Sequence, residues 1–359
     1  MSCELLCCEN PRVLRRLVEY DDGRFLKKLF SLLSLQPPLN HCLAGYFENV
    51  LEVLFRRMTV PVMAFMNSGG VDMLQQFVRH TYNYSIMQIV QRVLLPHIPF
   101  LIEDVDRPPE ERELYQCNWS FQKVTCDLLC ETILTSHHPA VITHLSDMLI
   151  TVLQLSPHES SILSNLCESK HLNGMLESAF KDGTEVASVE EEPTVDASMS
   201  LACISLLESL VSRLCETMSC IHFDTEGGEG EESGMNVDDR RRLSNVVAVG
   251  VDRVSKAILP FVPRIAAQLR AHLDSPVCGL FHAQTQCSHK RLGPRGLHLV
   301  KLIESTVRLA NDEMDEALCS AGVFAACLEM MFAFELHSLL HLSVQRIVLN
   351  LIEVGATQR

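Results

Sequence analysis

LNHCLAGYFENVLEVLFRR, residues Leu39 to Arg57, decides the fold class of this 359-residue chain. Leu43, Phe47, Val50, Leu51, Leu54 and Phe55 recur at three- and four-residue intervals, while Glu48, Glu52, Arg56 and Arg57 fall largely elsewhere. That is the pattern of an amphipathic helix with one wide apolar face to bury. Working outward, comparable stripes run through Arg24 to Leu35, Trp119 to Leu134, Ala140 to Leu155, Ser198 to Met218, Val246 to Leu273 and Gly296 to Ala310. Pro260 and Pro263 are expected to split or kink the long helix among them, because proline removes a helical donor and clashes with the preceding turn. Strand-like alternation is absent, so the chain reads as all-α.

A weak repeat organises these helices. Val60 to Leu95 reads as a short helix, a break at Gly69 and Gly70, a helix through Met73, Leu74 and Phe77, and another from Ser85. Asp315 to Leu351 follows the same order, with Gly322 as the break, Phe324 to Phe334 as the second helix and Leu340 to Leu351 as the third. Ser161 to Leu214 is a third copy, opened by an acidic insertion between its second and third helices. Three helices per unit of roughly 35 to 45 residues is the spacing of an armadillo/HEAT-like helical-repeat solenoid, whose units bury their faces by stacking on one another.

The formal charge of −15 is concentrated. Residues 182–196 hold six acids and residues 224–239 hold seven, neither stretch carrying Lys or Arg, so both are expected to be flexible acidic inserts. The rest of the chain is nearly neutral, which argues against a phosphate-tracking surface and predicts no nucleic-acid partner. Fifteen cysteines with no paired C-x-x-C units read as reduced thiols. Glu4 and Glu9 precede any apolar run long enough for a signal peptide, and Ala317 to Leu328, the best membrane candidate, is flanked by Glu316, Glu329 and Glu335. The expectation is a protein of the cytoplasm, or of cytoplasm and nucleus, with no membrane partner.

Catalytic constellations are not evident. No Gly-rich phosphate loop and no G-x-S-x-G elbow occurs, and the cluster Gly227-Gly228-Glu229-Gly230 lies in an acidic run that would repel phosphate. His337 and His341 share a helix face, but no glutamate of a metalloprotease helix lies between them. No cofactor, metal or enzymatic activity is expected. One regulatory motif stands out: Arg240, Arg241, Arg242 and Leu243 precede Ser244, as in the substrates of basophilic kinases, which makes Ser244 a candidate phosphosite.

Several segments resemble one family. Leu39-Asn40, Ala44, Tyr46-Phe47, Val50, Leu54, Arg57 and Thr59, followed by Phe65 and Ser85-Ile86-Met87, are similar to the SAPS-domain regulatory subunits of the type 6 serine/threonine protein phosphatase. Leu297-His298-Leu299-Val300-Lys301-Leu302 resembles the family's Leu-His-Val-Val-Lys helix, and Asn311-Asp312 falls where that helix ends. Leu328, Phe332, Phe334, Leu340, His341 and Val344 resemble its aromatic-rich helix, and Cys126-Asp127-Leu128-Leu129 is a fourth, weaker match. The sequence departs from the family at Gly296, where an Arg usually precedes Leu-His and where Arg295 stands one position earlier, and at His337-Ser338, which replace an Asn-Asn pair. The resemblance implies a helical-repeat domain over residues 1–355. It also implies a non-catalytic scaffold that binds the phosphatase catalytic subunit and directs it to substrates, with an ankyrin-repeat subunit as a further partner. A generic armadillo/HEAT-type adaptor for another complex is the competing expectation.

Overall fold

A computed structural model describes residues 2–21, 23–95, 114, 117–120, 122–157, 161–181, 194–226, 237–274, 280–282 and 288–357. Its contacts group the chain into two compact units, Met1–Pro157 and His158–Arg359. Both are helical, and the all-α helical-repeat architecture expected from the apolar periodicity is what the structure shows.

In the first unit, α1 (Ser2–Leu6), α2 (Pro11–Glu19) and α3 (Arg24–Phe30) lead to α4 (His41–Arg57). Then follow α5 (Thr59–Val78), α6 (Tyr84–Leu94), α7 (Lys123–Thr135) and α8 (Pro139–Leu155). The expected Gly-Gly break lies inside α5, where Gly70 adopts φ 54° and ψ −144°, a backbone conformation that side chains with a Cβ rarely reach. α6 lies between α4 and α8, forming a ladder of helices. Beneath them Phe30 gathers Phe47, Phe65 and Phe77 at centroid distances of 5.6, 5.0 and 6.1 Å, tying three successive helices into one core.

The apolar stripe of α4 needs one correction. Leu43 is 50 % exposed, and Ala44, Phe47, Val50, Leu51, Val53, Leu54 and Phe55 make the buried face. Leu43 stands in the first turn, and burial there depends on whether a neighbouring element covers it, which an angular pattern does not encode. Trp119, read as the start of a helix, is instead buried in the turn before α7.

The second unit repeats the arrangement. Its elements are α9 (Ser161–Leu166), α10 (Ser169–Ala179), α11 (Val195–Glu226), α12 (Val237–Ile258), α13 (Val262–Asp274), α14 (Gly293–Val307), α15 (Asp312–Ser320), α16 (Val323–Ala333) and α17 (Ser338–Thr357). A 3-10 turn at Leu259–Phe261 separates α12 from α13, so the prolines at 260 and 263 split the long helix as expected. The final helices of the three triplets again form a ladder, α14 lying between α11 and α17.

Two expectations are revised here. Strands β1 (Leu280–His282) and β2 (Ser288–Lys290) form an antiparallel pair in the register Leu280↔Lys290. Three residues per strand are too few for an alternating pattern to register in the sequence. The acidic stretches are also shorter as non-helical segments than composition suggested. Val195 and Asp196 already belong to α11, which runs on to Glu226, and Val237, Asp238 and Asp239 begin α12. The remainder, 182–193 and 227–236, lies outside the described residues.

Among the described residues, Val195–Ile221 is long and apolar enough to cross a membrane, a stronger candidate than Ala317 to Leu328. Of its apolar window 61 % is buried within the protein, packed by α10, α12 and α14 as a core helix is.

Candidate protein-interaction surface

The two helix ladders offer long faces, and the residues singled out in the sequence sit along and beneath them. In the first unit, Asn40 caps α4. Its side-chain oxygen accepts from the backbone N–H groups of Cys42 and Leu43 at 2.9 and 3.2 Å, a cap of the kind that contributes about 1 kcal/mol. Leu39 is buried, and its N–H donates to the Tyr82 hydroxyl. Phe47 belongs to the phenylalanine core. Thr59 opens α5 and donates its hydroxyl to the Phe55 carbonyl, pinning the α4–α5 corner. Arg57 and Arg56 clasp Glu9, Arg57 Nε donating at 2.9 Å. The Arg57 hydrogen bond, with Arg56 beside it, holds the Glu9 carboxyl below its ordinary range. Glu48 and Glu52 on α4 face Arg92 on α6 at 3.9 and 3.5 Å, so they bridge rungs of the ladder as well as meeting solvent.

In the second unit, His298 on α14 faces Glu208 on α11 at 3.4 Å, an ion-pair separation without hydrogen-bond alignment. On the other side of α14, Glu304 takes Arg346 of α17 at 3.3 Å. Asn311 caps α15 by accepting from the Met314 N–H at 3.0 Å. The two histidines of the shared helix face have capping work: His337 Nδ1 accepts from the Leu340 N–H at 3.2 Å, and His341 Nε2 lies 3.1 Å from the Phe334 carbonyl that ends α16.

Two of the ten family-motif residues have no such internal task. Phe332 is 72 % exposed, and neither its ring nor the half-exposed Lys301 side chain finds a ring, ion-pair or hydrogen-bond partner among the described residues. Phe332 lies in an apolar stretch with exposed Leu328, Leu336 and Leu339. A cleft of about 580 Å³ opens beside it, walled by Ser288 to Pro294 on one side and Ala333 to His337 on the other. Lys290 lines that cleft and donates to the Leu273 carbonyl at the end of α13, 3.0 Å away. Exposed apolar side chains grouped in this way mark surfaces that bind other molecules.

Burial pushes Cys117, Cys167, Cys203 and Cys327 up to about 12 and Cys215 to about 11. Cys7 rises to about 11 through burial and its contact with Cys3. An activated nucleophile requires the opposite shift. Ser244, the candidate phosphosite, is exposed on α12.

Curated relatives align with the chain from end to end. Serine/threonine-protein phosphatase 6 regulatory subunit 3-A of Xenopus laevis is 24% identical over 353 residues, covering 96% of this chain and 37% of its own length. The human regulatory subunits 1 and 2 are each 22% identical over 99% of the chain, which spans 38% and 34% of their lengths. The chain is similar to these regulatory subunits along nearly its whole length. It spans little more than a third of the relatives it matches. No family model matches it.

The departure from the family at Gly296 now has a physical setting. Arg295, one residue earlier, is buried and reaches across three helices: Nε donates to Ser200 Oγ at 3.0 Å, and Nη2 to the Ala179 carbonyl at 3.2 Å and to Gln268 Oε1 at 2.9 Å. Burial lowers its pKa from the ordinary arginine value, and the three contacts named are all to neutral oxygens. His272 packs against Gly296, donating Nδ1–H to the Gln268 carbonyl at 2.9 Å. The sequence marked Arg295 only as a displaced family arginine, without its burial or contacts, and gave no sign of His272. For the contact with His272 the available signal was Gly296 itself, a glycine inside a helical pattern, which often marks a close approach.

Proposed function

We propose that this chain is a non-catalytic scaffold that binds a type 6-like serine/threonine phosphatase catalytic subunit through its helix ladders and directs it to substrates. The observation that carries the reading is the end-to-end alignment with phosphatase 6 regulatory subunits. The exposed Phe332 and the half-exposed Lys301 support it, because a motif side chain that does no work inside the fold is available to a partner. An ankyrin-repeat subunit is a second partner of this assembly, and the cytoplasm, or cytoplasm and nucleus, its place.

The test is capture of a purified type 6 catalytic subunit by the immobilised chain. Phe332→Asp and Lys301→Glu should each leave folding stability within about 0.5 kcal/mol, as surface changes do, and weaken capture. Leu155→Asp, an exposed apolar position outside the motif set, should leave capture unchanged. Failure of well-folded wild-type chain to retain any catalytic subunit would refute the reading in favour of an adaptor for another complex.

A further inference from the structure

We propose that α2 carries a docking site for a phosphoserine-bearing segment of another protein, held through Arg12, Arg15 and Arg16. α2 is not a rung of the helix ladder, so the site does not depend on what the ladders bind. Arg12, Arg15 and Arg16 line one cleft of about 420 Å³ together with Pro11, Glu19 and Tyr20. All three arginines are exposed, and none of them forms an ion pair among the described residues. In a chain of net charge −15, such a knot of unneutralised cations runs against the charge of the whole and makes a local site of attraction for anions.

Residues three and four apart share a helix face, so Arg15 and Arg16 both stand beside Arg12. The platform under them is firm. Leu14 and Val18 are buried beneath α2, and Asn10 caps its first turn by accepting from the Arg12 N–H at 3.0 Å. Arg16 lies over the Tyr20 ring, 4.6 Å from its centroid, and Tyr20 stacks in turn on Phe25 at 5.6 Å. That contact occupies the face of the guanidinium and leaves its in-plane N–H groups to donate elsewhere.

Three guanidiniums suit a phosphate better than a carboxylate. A phosphoserine brings a charge of about −2 and three strong acceptor oxygens, which can engage several arginine forks at once, whereas one fork satisfies a carboxylate. Arg12 stands in the first turn of α2, where the helix dipole adds to the attraction. A peptide also fits better than a partner that spreads its charge. Glu19 lines the same cleft and repels a bilayer or a nucleic acid laid across it, while a single dianion can sit clear of that carboxylate. Beside the arginines, exposed Tyr20 and Phe25 offer an aromatic ledge for an apolar residue following the phosphoserine.

The test measures binding of the full chain to a fluorescein-labelled peptide carrying one phosphoserine followed by phenylalanine, and to its unphosphorylated twin. Inorganic phosphate serves as competitor, and vesicles of phosphatidylcholine with a phosphoinositide form a separate arm. Expected is saturable binding of the phosphopeptide at least tenfold tighter than of the twin, weakening as salt is raised. The double change Arg12→Glu with Arg15→Glu should weaken it at least tenfold without altering the circular-dichroism melt. Arg15→Gln, which removes one charge without reversing it, should weaken it about threefold and keeps the test available if the double variant does not fold. Lys256→Glu, at an exposed cation on α12, should leave binding unchanged. Equal affinity for the two peptides would overturn the proposal, as would folded arginine variants that bind like wild type. So would inorganic phosphate that competes as well as unlabelled phosphopeptide, which marks a bare anion site, or capture by the vesicles with no binding of the peptide.

Discussion

Gly45 and Gly296 are both helical glycines, and the structure assigns them opposite responses to an added methyl group. Replacing a helical glycine by alanine ordinarily stabilises by about 0.5–1 kcal/mol, because the unfolded chain loses conformational freedom. At Gly45 an ideal Cβ would find Ser85 Oγ at 3.9 Å, an ordinary contact, so Gly45→Ala should show that gain. At Gly296 the same atom would lie 2.6 Å from Leu292 Cδ1, 2.7 Å from His272 Cδ2 and 3.0 Å from His272 Nε2. Neither neighbour yields cheaply, since both are buried and the imidazole is held by its bond to the Gln268 carbonyl. Overpacking of this kind costs about 1–3 kcal/mol, which outweighs the helical gain and leaves Gly296→Ala about 1–2 kcal/mol less stable than wild type. Urea unfolding followed by circular dichroism should move the midpoint down for Gly296→Ala and up for Gly45→Ala. For a unit of about 200 residues the loss corresponds to roughly 2–8 °C in melting temperature. Adding His272→Ala to Gly296→Ala should recover part of the loss, with a coupling of at least about 1 kcal/mol in the double-mutant cycle. A Gly296→Ala protein that melts above wild type would mean that His272 and Gly296 are not in contact and that the packing around Arg295 is wrong.

Stability should also depend on pH, with two opposing contributions. Desolvation first of all lowers the pKa of His272 and of His80, so the unfolded chain takes up protons before the folded chain does; stability should fall as pH drops below about 6.5, and exchange of core amides in α13 and in α6 should accelerate over that range. Asp315 has the opposite sign. Burial, with Asp312 beside it, raises its pKa to about 6, so its ionisation costs stability as pH rises from about 4 to 6; Asp315→Asn should match wild type near pH 4 and exceed it at pH 7 by up to about 1 kcal/mol, discounted for its partial exposure, and equal urea midpoints at pH 7 would show that the carboxylate is already well solvated.

The helices and their breaks were legible because each depends on residues close in sequence. A stripe such as Phe47, Leu51, Leu54 needs no knowledge of its partner to declare a helix, and the prolines at 260 and 263 act on their own turn. Contacts between distant segments leave no such mark. Arg295 meets Ala179 across 116 residues, and Glu304 meets Arg346 across 42. Nothing local distinguishes that arginine from one in solvent. For the same reason Leu43 was placed inward and Phe332 could not be placed outward, since the periodicity of an apolar side chain says which face it shares and not whether that face is covered.

This bears on how the family motif is read. Asn40, Asn311 and His341 cap helices, Thr59 and Arg57 hold a corner, Leu39 and Phe47 fill the core, and His298 bridges two rungs. Residues with such tasks would be needed in any chain that builds these triplets, whatever it binds, so they testify to fold and say little about a partner. The burden of recognition falls on motif positions that the fold does not use. Phe332, standing on α16 with most of its ring in solvent, costs the isolated chain solubility and gives its packing little in return. If the proposed scaffold reading holds, replacing Phe332 by aspartate, and not replacing any buried motif residue, is the change that separates loss of binding from loss of fold.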